Sequence, residues 1–360
     1  MENLILVINP GSTSTKLAVY KDNRPLHTTS LHHTNDELGQ FGEVVDQRVF
    51  REKLIVAWLK DQGVELNSLT AIVARGGLLA PMVGGTYYVN ELMVAQLEQG
   101  VYGKHAANLA GLIAFDLGKA LGIPAFIVDP VVVDELIPVA RFSGCPAVER
   151  RSVFHALNHK AGAQKAAKLL ERPYNELNLI VAHLGGGISV GAHRRGQVID
   201  VNNALTGEGP FSPERTGSVP TVGLINFFFD HGYSKADLIR KYVGKSGLVS
   251  HLGTNDLRLI VQRMKAGDEQ AHFYFMAMAY QISKEIGRIS AVLRGIVDAI
   301  VLTGGLAYSG ELVHEIKQYV EFIAPLIVLP GENELEALAL GALRVLTGQE
   351  VAREYVGEGR

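Results

Sequence analysis

The sequence predicts an α/β protein with two domains. Segments typical of strands and of helices alternate along the chain, which is the pattern of α/β architectures. The 360 residues are 47% hydrophobic, enough to bury a sizeable core in each of two domains. A strand–turn–strand pattern near the N-terminus returns about half a chain later, which indicates one architecture used twice, although two hairpins can also recur by chance. We therefore expect domains at 1–152 and 153–331, with 332–360 completing the first.

The chain opens with three strand-like segments. The apolar stretch ILVINP is followed by a GSTS turn, by the alternating stretch TKLAVYKD and, after DNRP, by PLHTTSLHH. This pattern predicts an antiparallel meander. The first strand ends in Asn9, Pro10 and Gly11, and hydroxyl residues and Lys16 come next, which are groups suited to binding an oxyanion.

The later elements continue the alternation. The second meander, NLIVAHL, GGG, ISVGAHRR and QVIDVN, lies at about 178–202. Residues 271–293 are apolar on nearly all sides and predict a central, buried helix. The remaining predicted elements are helices at 108–122, 154–170 and 333–348 and strands at 124–130, 298–305 and 326–330.

Composition excludes several classes of partner. The net charge of -3, with both signs scattered, gives no field that would indicate nucleic acid or a membrane surface. The single cysteine, Cys145, cannot form an intramolecular disulfide and suits a reducing cytosol. The N-terminal residues lack the pattern of a signal peptide, and no apolar run reaches about 18 residues. We expect a cytoplasmic protein that binds neither nucleic acid nor membrane.

Three glycine-rich turns, NPGSTSTK, HLGGGIS and LTGGLAYSG, follow apolar strands. Glycine lets the backbone approach a ligand closely, so consecutive amides can point at phosphate oxygens. The first turn is not a P-loop, because it has no second glycine before the lysine and a strand pattern follows it. Three such turns together indicate a bound nucleotide.

Carboxylates and an amide mark strand ends. Asn9 ends one strand, Asp129 ends another, and Glu332, Asn333 and Glu334 follow a third. Such groups can hold magnesium directly or through water. Each also suits a turn or a helix N-terminus, and the sequence leaves both interpretations open.

Histidines and arginines supply positive charge. His155 and His159 are one helical turn apart, which fits a metal site but is more typical of an ordinary helix face. Arg75 and Arg215 stand beside glycine in loop-like segments, where a buried arginine needs an anionic partner. Arginines 150, 151, 194 and 195 are expected to be solvated.

The ordered set of motifs resembles the acetate and acyl kinase family, and within it the butyrate kinases. The motifs cover essentially the whole chain: VINPGSTSTK, VARGGLLAP, GGTYYVN, FIVDPVVVDEL, FHALNH, VAHLGGGISVGAH, ALTGEGPFSPERTG, GTNDLR, LTGGLAYS and PGENELEALALGALRVL. The resemblance implies two duplicated domains of the actin-like ATPase (ribonuclease H-like) fold, each a mixed sheet flanked by helices, with nucleotide in the cleft between them. It also implies ATP/ADP and Mg²⁺ as cofactors and a homodimer or larger homo-oligomer.

The resemblance further implies reversible transfer of the ATP γ-phosphoryl group to a short-chain carboxylate, which gives an acyl phosphate. His155 and Arg215 match catalytic positions of the family, with Arg75 and Asp129 as further catalytic candidates. Magnesium would be held by Asn9, Asp129 and Glu334. The implied nucleotide-binding residues are Asn9, Gly11, Ser12, Ser14, Lys16, His183, Gly185, Gly186, Gly187, Gly304 and Gly305.

Two departures from acetate kinases bear on the substrate. Their second active-site arginine lies four residues before a Gly-Gly pair, where this chain has Ile72, and Arg75 immediately precedes Gly76. Thr206 stands where an ungapped comparison places a proline of the acetate enzymes, which is consistent with a reshaped acyl pocket. The resemblance to butyrate kinases implies butyrate or isobutyrate as the acceptor. An acetate or propionate kinase and a non-catalytic nucleotide-dependent switch are the alternatives.

Overall fold

The computed structural model describes residues 2–357, which divide into two compact units. Unit 1 comprises the residues up to Val133 together with those from Asn333 onward, and unit 2 comprises Asp134–Glu332. The chain thus returns to unit 1 at its end. The domain limits inferred from the sequence stay a prediction.

The strands and helices follow one another along both units. The strands are β1 Leu4–Pro10, β2 Ser14–Lys21, β3 Arg24–His32, β4 Ala71–Ala74, β5 Thr86–Tyr88, β6 Ala125–Val128, β7 Asn178–Leu184, β8 Ile188–Arg194, β9 Gln197–Val201, β10 Ala299–Gly304 and β11 Leu326–Pro330. The helices are α1 Asn35–Leu38, α2 Arg48–Asp61, α3 Glu91–Gln99, α4 Asn108–Leu121, α5 Ala156–Leu169, α6 Thr221–His231, α7 Lys235–Gly244, α8 Leu248–Leu252, α9 Leu257–Lys265, α10 Glu269–Val292, α11 Gly310–Val320 and α12 Glu334–Leu346.

The two sheets share one topology. In unit 1 the strand order is β3-β2-β1-β4-β6-β5, and in unit 2 it is β11-β10-β7-β8-β9. Each contains an antiparallel meander, β1 to β3 or β7 to β9, whose first strand is extended by two parallel strands, β4 and β6 or β10 and β11. In unit 1, β5 adds an antiparallel edge. The predicted α/β class with repeated meanders is confirmed.

Apolar runs in the central strands fill cores on both faces of the sheet. In unit 2, Ile180 and Leu302 pack against α10 residues such as Ile282. Their neighbours Leu179 and Val301 turn to the other face, where they pack against alanines of α5. Side chains of successive strand residues alternate between faces, so a strand buried on both faces is apolar throughout.

Helix α10 departs from its prediction. Phe275, Met278 and Ile282 are fully buried, but Phe273 is 64% exposed and Tyr280 is 48% exposed. The helix therefore packs through one face, and the expectation of a central, buried helix is wrong. Apolar composition cannot indicate which face the rest of the fold covers. Over residues 2–357, no helix is both long enough and apolar enough to cross a membrane.

Candidate active site

One edge of the unit 1 sheet collects the polar residues that end its parallel strands. Strands β1, β4 and β6 run in the same direction, so their carboxyl ends meet at one edge. Asn9 lies there within β1, Arg75 follows β4 directly, and Asp129 follows β6. Ile72 is fully buried in β4 and belongs to the core.

Glu334 joins two of these residues. Asn9 Nδ2 donates to Glu334 Oε2 at 2.8 Å, and Arg75 forms an ion pair with the other carboxylate oxygen. Burial alone would raise the pKa of the Glu334 carboxyl, but the charge and hydrogen bond of Arg75, the Asn9 amide and the charge of Lys16 together lower it. Glu334 is therefore ionised at neutral pH, and Arg75 already has an anionic partner.

Asp129 is held in an uncommon backbone conformation. Its φ of 39° lies in the left-handed region, and its side chain is buried. The Gly85 amide donates to Asp129 Oδ1 at 2.8 Å, and the Asp129 amide donates back to the Gly85 carbonyl. A non-glycine residue pays a steric cost at positive φ, so its surroundings must fix it there.

The oxygen donors of unit 1 fit Mg²⁺ carried by a nucleotide. They are the carboxylates of Asp129 and Glu334 and the amide oxygen of Asn9, whose nitrogen is turned toward Glu334. Mg²⁺ in phosphoryl-transfer sites usually takes one or two carboxylates and completes its shell with water and phosphate oxygens. Across residues 2–357 no cluster of three His, Cys, Asp or Glu side chains forms a metal cage.

The turn after β1 is fastened from the interior by Arg51, a residue that sequence inspection missed. Arg51 lies in α2 and is 1% exposed. Its guanidinium donates to the carbonyl oxygens of Gly11, Ser12 and Ser14 at 2.8–3.1 Å. These partners are neutral, and burial lowers the pKa of Arg51 to about 10, which still leaves it charged at neutral pH.

In unit 2, His155 stands at the N-cap of α5 rather than within the helix. Its Nδ1 contacts Ser189 Oγ at 2.9 Å, and its ring stacks on His183 with centroids 4.1 Å apart. His159 is completely buried and contacts Ser189 and His193. The two histidines share Ser189 as a hydrogen-bond partner, and no third His, Cys, Asp or Glu joins them in a metal-binding cluster within the described residues.

The triple-glycine turn after β7 makes room for Arg215. A Cβ on Gly187 would lie 1.6 Å from Arg215 Nη1, so glycine is the residue that fits. Arg215 Nη1 donates to the Ala204 carbonyl at 2.6 Å, while its buried Nε has no hydrogen-bond partner among the described residues. Ser212 fastens the same loop by donating to the Gly186 carbonyl at 2.5 Å. Arg215 therefore retains donor capacity for an anion.

The family model for the acetokinase family matches residues 147–326, half of the chain, which includes His155, the triple-glycine turn and Arg215. The chain belongs to the acetokinase family. Membership supports its assignment as a nucleotide-binding carboxylate phosphotransferase.

Solved structures agree with this acetokinase assignment at the level of fold. An acetate kinase from Porphyromonas gingivalis is 20% identical, with a TM-score of 0.76 over 97% of this chain and 100% of that one. A propionate kinase from Francisella tularensis is 18% identical, with a TM-score of 0.72 over 94% and 98%. A ROK family protein from Streptococcus pneumoniae in complex with sucrose is 15% identical, with a TM-score of 0.50 over 96% and 100%. The predicted actin-like ATPase fold is confirmed.

The last glycine pair of this acetokinase-family chain has a packing role at its first member. Gly304 has a φ of 91°, and a Cβ there would lie 2.3 Å from the Leu184 carbonyl oxygen, beside the triple-glycine turn. Gly305 borders open space, where a Cβ would have no atom within 4 Å. The two glycines thus lie at the same edge of the unit 2 sheet as His183.

Arg150 corrects an expectation. It was expected to be solvated, yet it donates to Asp200 at 3.0 Å and also contacts Glu208. Its side chain is 18% exposed, whereas Arg151, Arg194 and Arg195 are exposed as expected. The difference is tertiary, because the partners of Arg150 lie 50 and 58 residues further along the chain.

Proposed function

We propose that this acetokinase-family protein is a butyrate kinase. It transfers the γ-phosphoryl group of ATP reversibly to butyrate, or to a branched acid such as isobutyrate, and forms acyl phosphate and ADP. The observation that carries the proposal is the placement of Arg215, whose guanidinium lies against the Cβ-free face of Gly187. Its charge suits an anionic acceptor and the charge that develops on the transferring group.

The loop at residues 203–206 is consistent with an acyl pocket whose shape differs from that of the acetate enzymes. Asn203 Oδ1 accepts hydrogen bonds from the amides of Leu205 and Thr206 at 3.1 and 3.0 Å. Proline has no amide hydrogen, so the residue that the acetate enzymes place at 206 could not make the second bond. Arg215 donates to Ala204 in the same loop, which ties its shape to the proposed catalytic arginine.

The proposed roles divide between the two units. In unit 2, Arg215 binds the carboxylate and phosphoryl oxygens, and His155 donates to an equatorial oxygen of the phosphoryl group. In unit 1, the turn at Gly11, Ser12 and Ser14, with Lys16, binds phosphate, and Arg75 is the second candidate cation. A carboxylate is already ionised at neutral pH, so the attacking oxygen needs no general base.

Asn9, Asp129 and Glu334 would hold Mg²⁺, which supplies neutralisation of the nucleotide's phosphate charge when bound. Asp129 is thus proposed as a metal organiser rather than a base. His183, Gly185, Gly186 and Gly187 would complete phosphate binding, and Gly304 and Gly305 would flank adenosine. A cytoplasmic location and a homo-oligomer also belong to the proposal.

Acyl phosphate formation tests the proposal directly. The protein would be incubated with ATP, Mg²⁺ and acetate, propionate, butyrate, isobutyrate or isovalerate, and the product trapped as its hydroxamate. Higher kcat/KM for butyrate or isobutyrate than for acetate is expected, although one methylene is worth only about 1–3 kcal/mol in an apolar pocket. Preference for acetate or propionate would favour that alternative. No hydroxamate from any acid, with ATP still bound, would favour a non-catalytic switch.

A further inference from the structure

A chain of hydrogen bonds crosses the interior of unit 2 and ends on His155. Tyr174 Oη contacts His193 Nδ1 at 2.7 Å, and His193 Nε2 contacts His159 Nδ1 at 3.2 Å. His159 Nε2 then contacts Ser189 Oγ at 2.8 Å, and that oxygen contacts His155 Nδ1 at 2.9 Å. The three middle residues are 0% exposed. We call this series the histidine chain.

The two inner histidines are neutral. The pKa of His159 is lowered to about 3, first by burial and then by the nearby His155 and Lys160. Burial and the same kind of charge repulsion hold the pKa of His193 well below its ordinary range. A neutral imidazole donates through one nitrogen and accepts through the other, so each ring transmits the direction of the hydrogen bond it receives.

When Ser189 Oγ accepts from one imidazole and donates to the other, the histidine chain has two possible directions. If Tyr174 donates to His193, each following residue donates in turn, and the Ser189 hydroxyl donates to His155 Nδ1. A neutral His155 then carries its proton on Nε2. In the reverse direction His155 donates from Nδ1, and its Nε2 could donate only if the ring were also positively charged.

Donor and acceptor strengths favour the first direction. A phenol is a better donor, and a neutral imidazole nitrogen a better acceptor, than the reverse arrangement would use. Lys160 Nζ lies 6.0 Å from the centre of the Tyr174 ring, but its charge is balanced by Glu135 at 2.8 Å. At the other end, His183 stacks on His155.

We propose that the histidine chain runs from Tyr174 toward His155 and fixes neutral His155 as the tautomer that donates from Nε2. This inference rests on the proposed function, in which His155 donates to a phosphoryl oxygen. Tyr174, His193, His159 and Ser189 are positioning residues, since they act through His155. The consequence is a donor that is ready without protonation, and a wrong tautomer at such a position can cost an enzyme most of its rate.

Nitrogen NMR of the histidine-labelled protein reads the tautomer without substrate. The His155 signals are assigned by their loss in His155→Gln, and we expect a protonated Nε2 and an unprotonated Nδ1. Tyr174→Phe and Ser189→Ala should each shift the ring toward the other tautomer and lower kcat about 10-fold, with KM for ATP unchanged. Ser189→Thr, which keeps the hydroxyl, should restore the tautomer. Tyr280→Phe, at a half-exposed ring of the same unit, is the control.

A wild-type His155 protonated on Nδ1 would overturn the inference, as would unchanged tautomer and kcat in both variants. If Ser189→Ala does not fold, the part-buried Tyr174→Phe decides alone. The outcome is separate from that of the proposed function. Absence of acyl phosphate formation would overturn the proposed kinase function and leave the NMR result unaffected. An active enzyme whose His155 is protonated on Nδ1 would overturn only the proposed direction of the histidine chain.

Discussion

The turns after β1 and β7 occupy equivalent places in two sheets of the same topology, but arginine serves them differently. Behind the first turn, Arg51 donates to three carbonyl oxygens and is 1% exposed. Against the second, Arg215 fits only because Gly187 has no side chain. Arg51 donates its hydrogen bonds to the backbone, whereas the Nε of Arg215 has no hydrogen-bond partner among the described residues.

The two arginines suit different tasks: Arg51 stabilises the shape of a turn, whereas Arg215 is available to an anion. A fixed cation beneath the first turn holds its carbonyl groups inward and stabilises one backbone shape, which suits recognition of phosphate. A partly exposed cation above the second turn suits an anion that arrives and leaves. The same hairpin thus holds a fully bonded arginine behind its turn in one unit and an arginine with spare donors against its turn in the other.

Removal of Arg215 should have the largest effect. Arg215→Ala is expected to lower kcat by about 10² to 10³, because it deletes a charged donor to the transition state, while ATP still binds. Steady-state kinetics and an ATP titration check this. Arg194→Ala, at an exposed position on β8, is the control. A loss of ATP affinity equal to the loss of rate would instead assign Arg215 to ground-state binding.

Removal of Arg51 should act on stability first. Arg51→Met leaves the carbonyl groups of Gly11, Ser12 and Ser14 without their buried donor, so the free energy of unfolding should fall by about 3 kcal/mol. The KM for ATP should rise because the turn loses its fixed shape. Urea unfolding and kinetics measure both. Lys53→Met, at an exposed position of the same helix, should change neither, and equal effects of the two variants would contradict the role of Arg51.

Substitution of the glycines should distinguish the two turns. Gly187→Ala places a Cβ against the Arg215 guanidinium and should cost about 100-fold in kcat, as displacement of a catalytic group by about 1 Å can. Gly11→Ala should cost less, because its Cβ would meet Ser14 Oγ at an ordinary 3.6 Å. Gly287→Ala, with open space around it, is the control. A larger loss at Gly11 would reverse the comparison.

Acid should weaken unit 2 more than unit 1. His159 and His193 bind fewer protons folded than unfolded, because their folded pKa values lie below the ordinary 6.5. Stability therefore rises with pH up to about 6.5 and is lost as the pH falls below it. With a folded pKa of about 3, His159 alone should cost about 2 kcal/mol between pH 7 and pH 5.

Hydrogen exchange at both pH values would resolve the two units. In unit 1, His33 also has a lowered pKa, owing to burial and the charge of Arg51. In unit 2 both His159 and His193 have lowered pKa values, so we expect the larger effect of acid there. We expect the protection factors of unit 2 to fall more than those of unit 1 between pH 7 and pH 5. Equal protection of both units at both pH values would contradict the assignment of His159 and His193 as buried, neutral rings.

The meanders and the sheet edges were predictable because they follow from local rules. Alternating and continuous apolar runs determine strands, and glycine with hydroxyl residues determines turns, so β1, β2, β7 and β8 match their predicted limits closely. The polar residues Asn9 and Asp129 were predicted at strand ends for the same reason. Their roles in binding nucleotide and Mg²⁺ stay predictions.

Long-range partners were not predictable. The sequence does not show that Arg75 pairs with Glu334, 259 residues away, or that Arg150 pairs with Asp200. The histidine chain was missed as well, because a buried histidine has no periodic pattern and its partners come from α5, β8 and the turn before β7.

By itself the sequence determined the α/β class, the repeated hairpin and the motifs of the acetokinase family, since these depend on the order and spacing of residues. Only the tertiary structure decided that Arg51 lies beneath one turn and Arg215 against the other. It also decided which histidines are buried and which partners their ring nitrogens contact. Those outcomes depend on burial and on contacts between distant segments, which set both the charge state and the direction of each hydrogen bond.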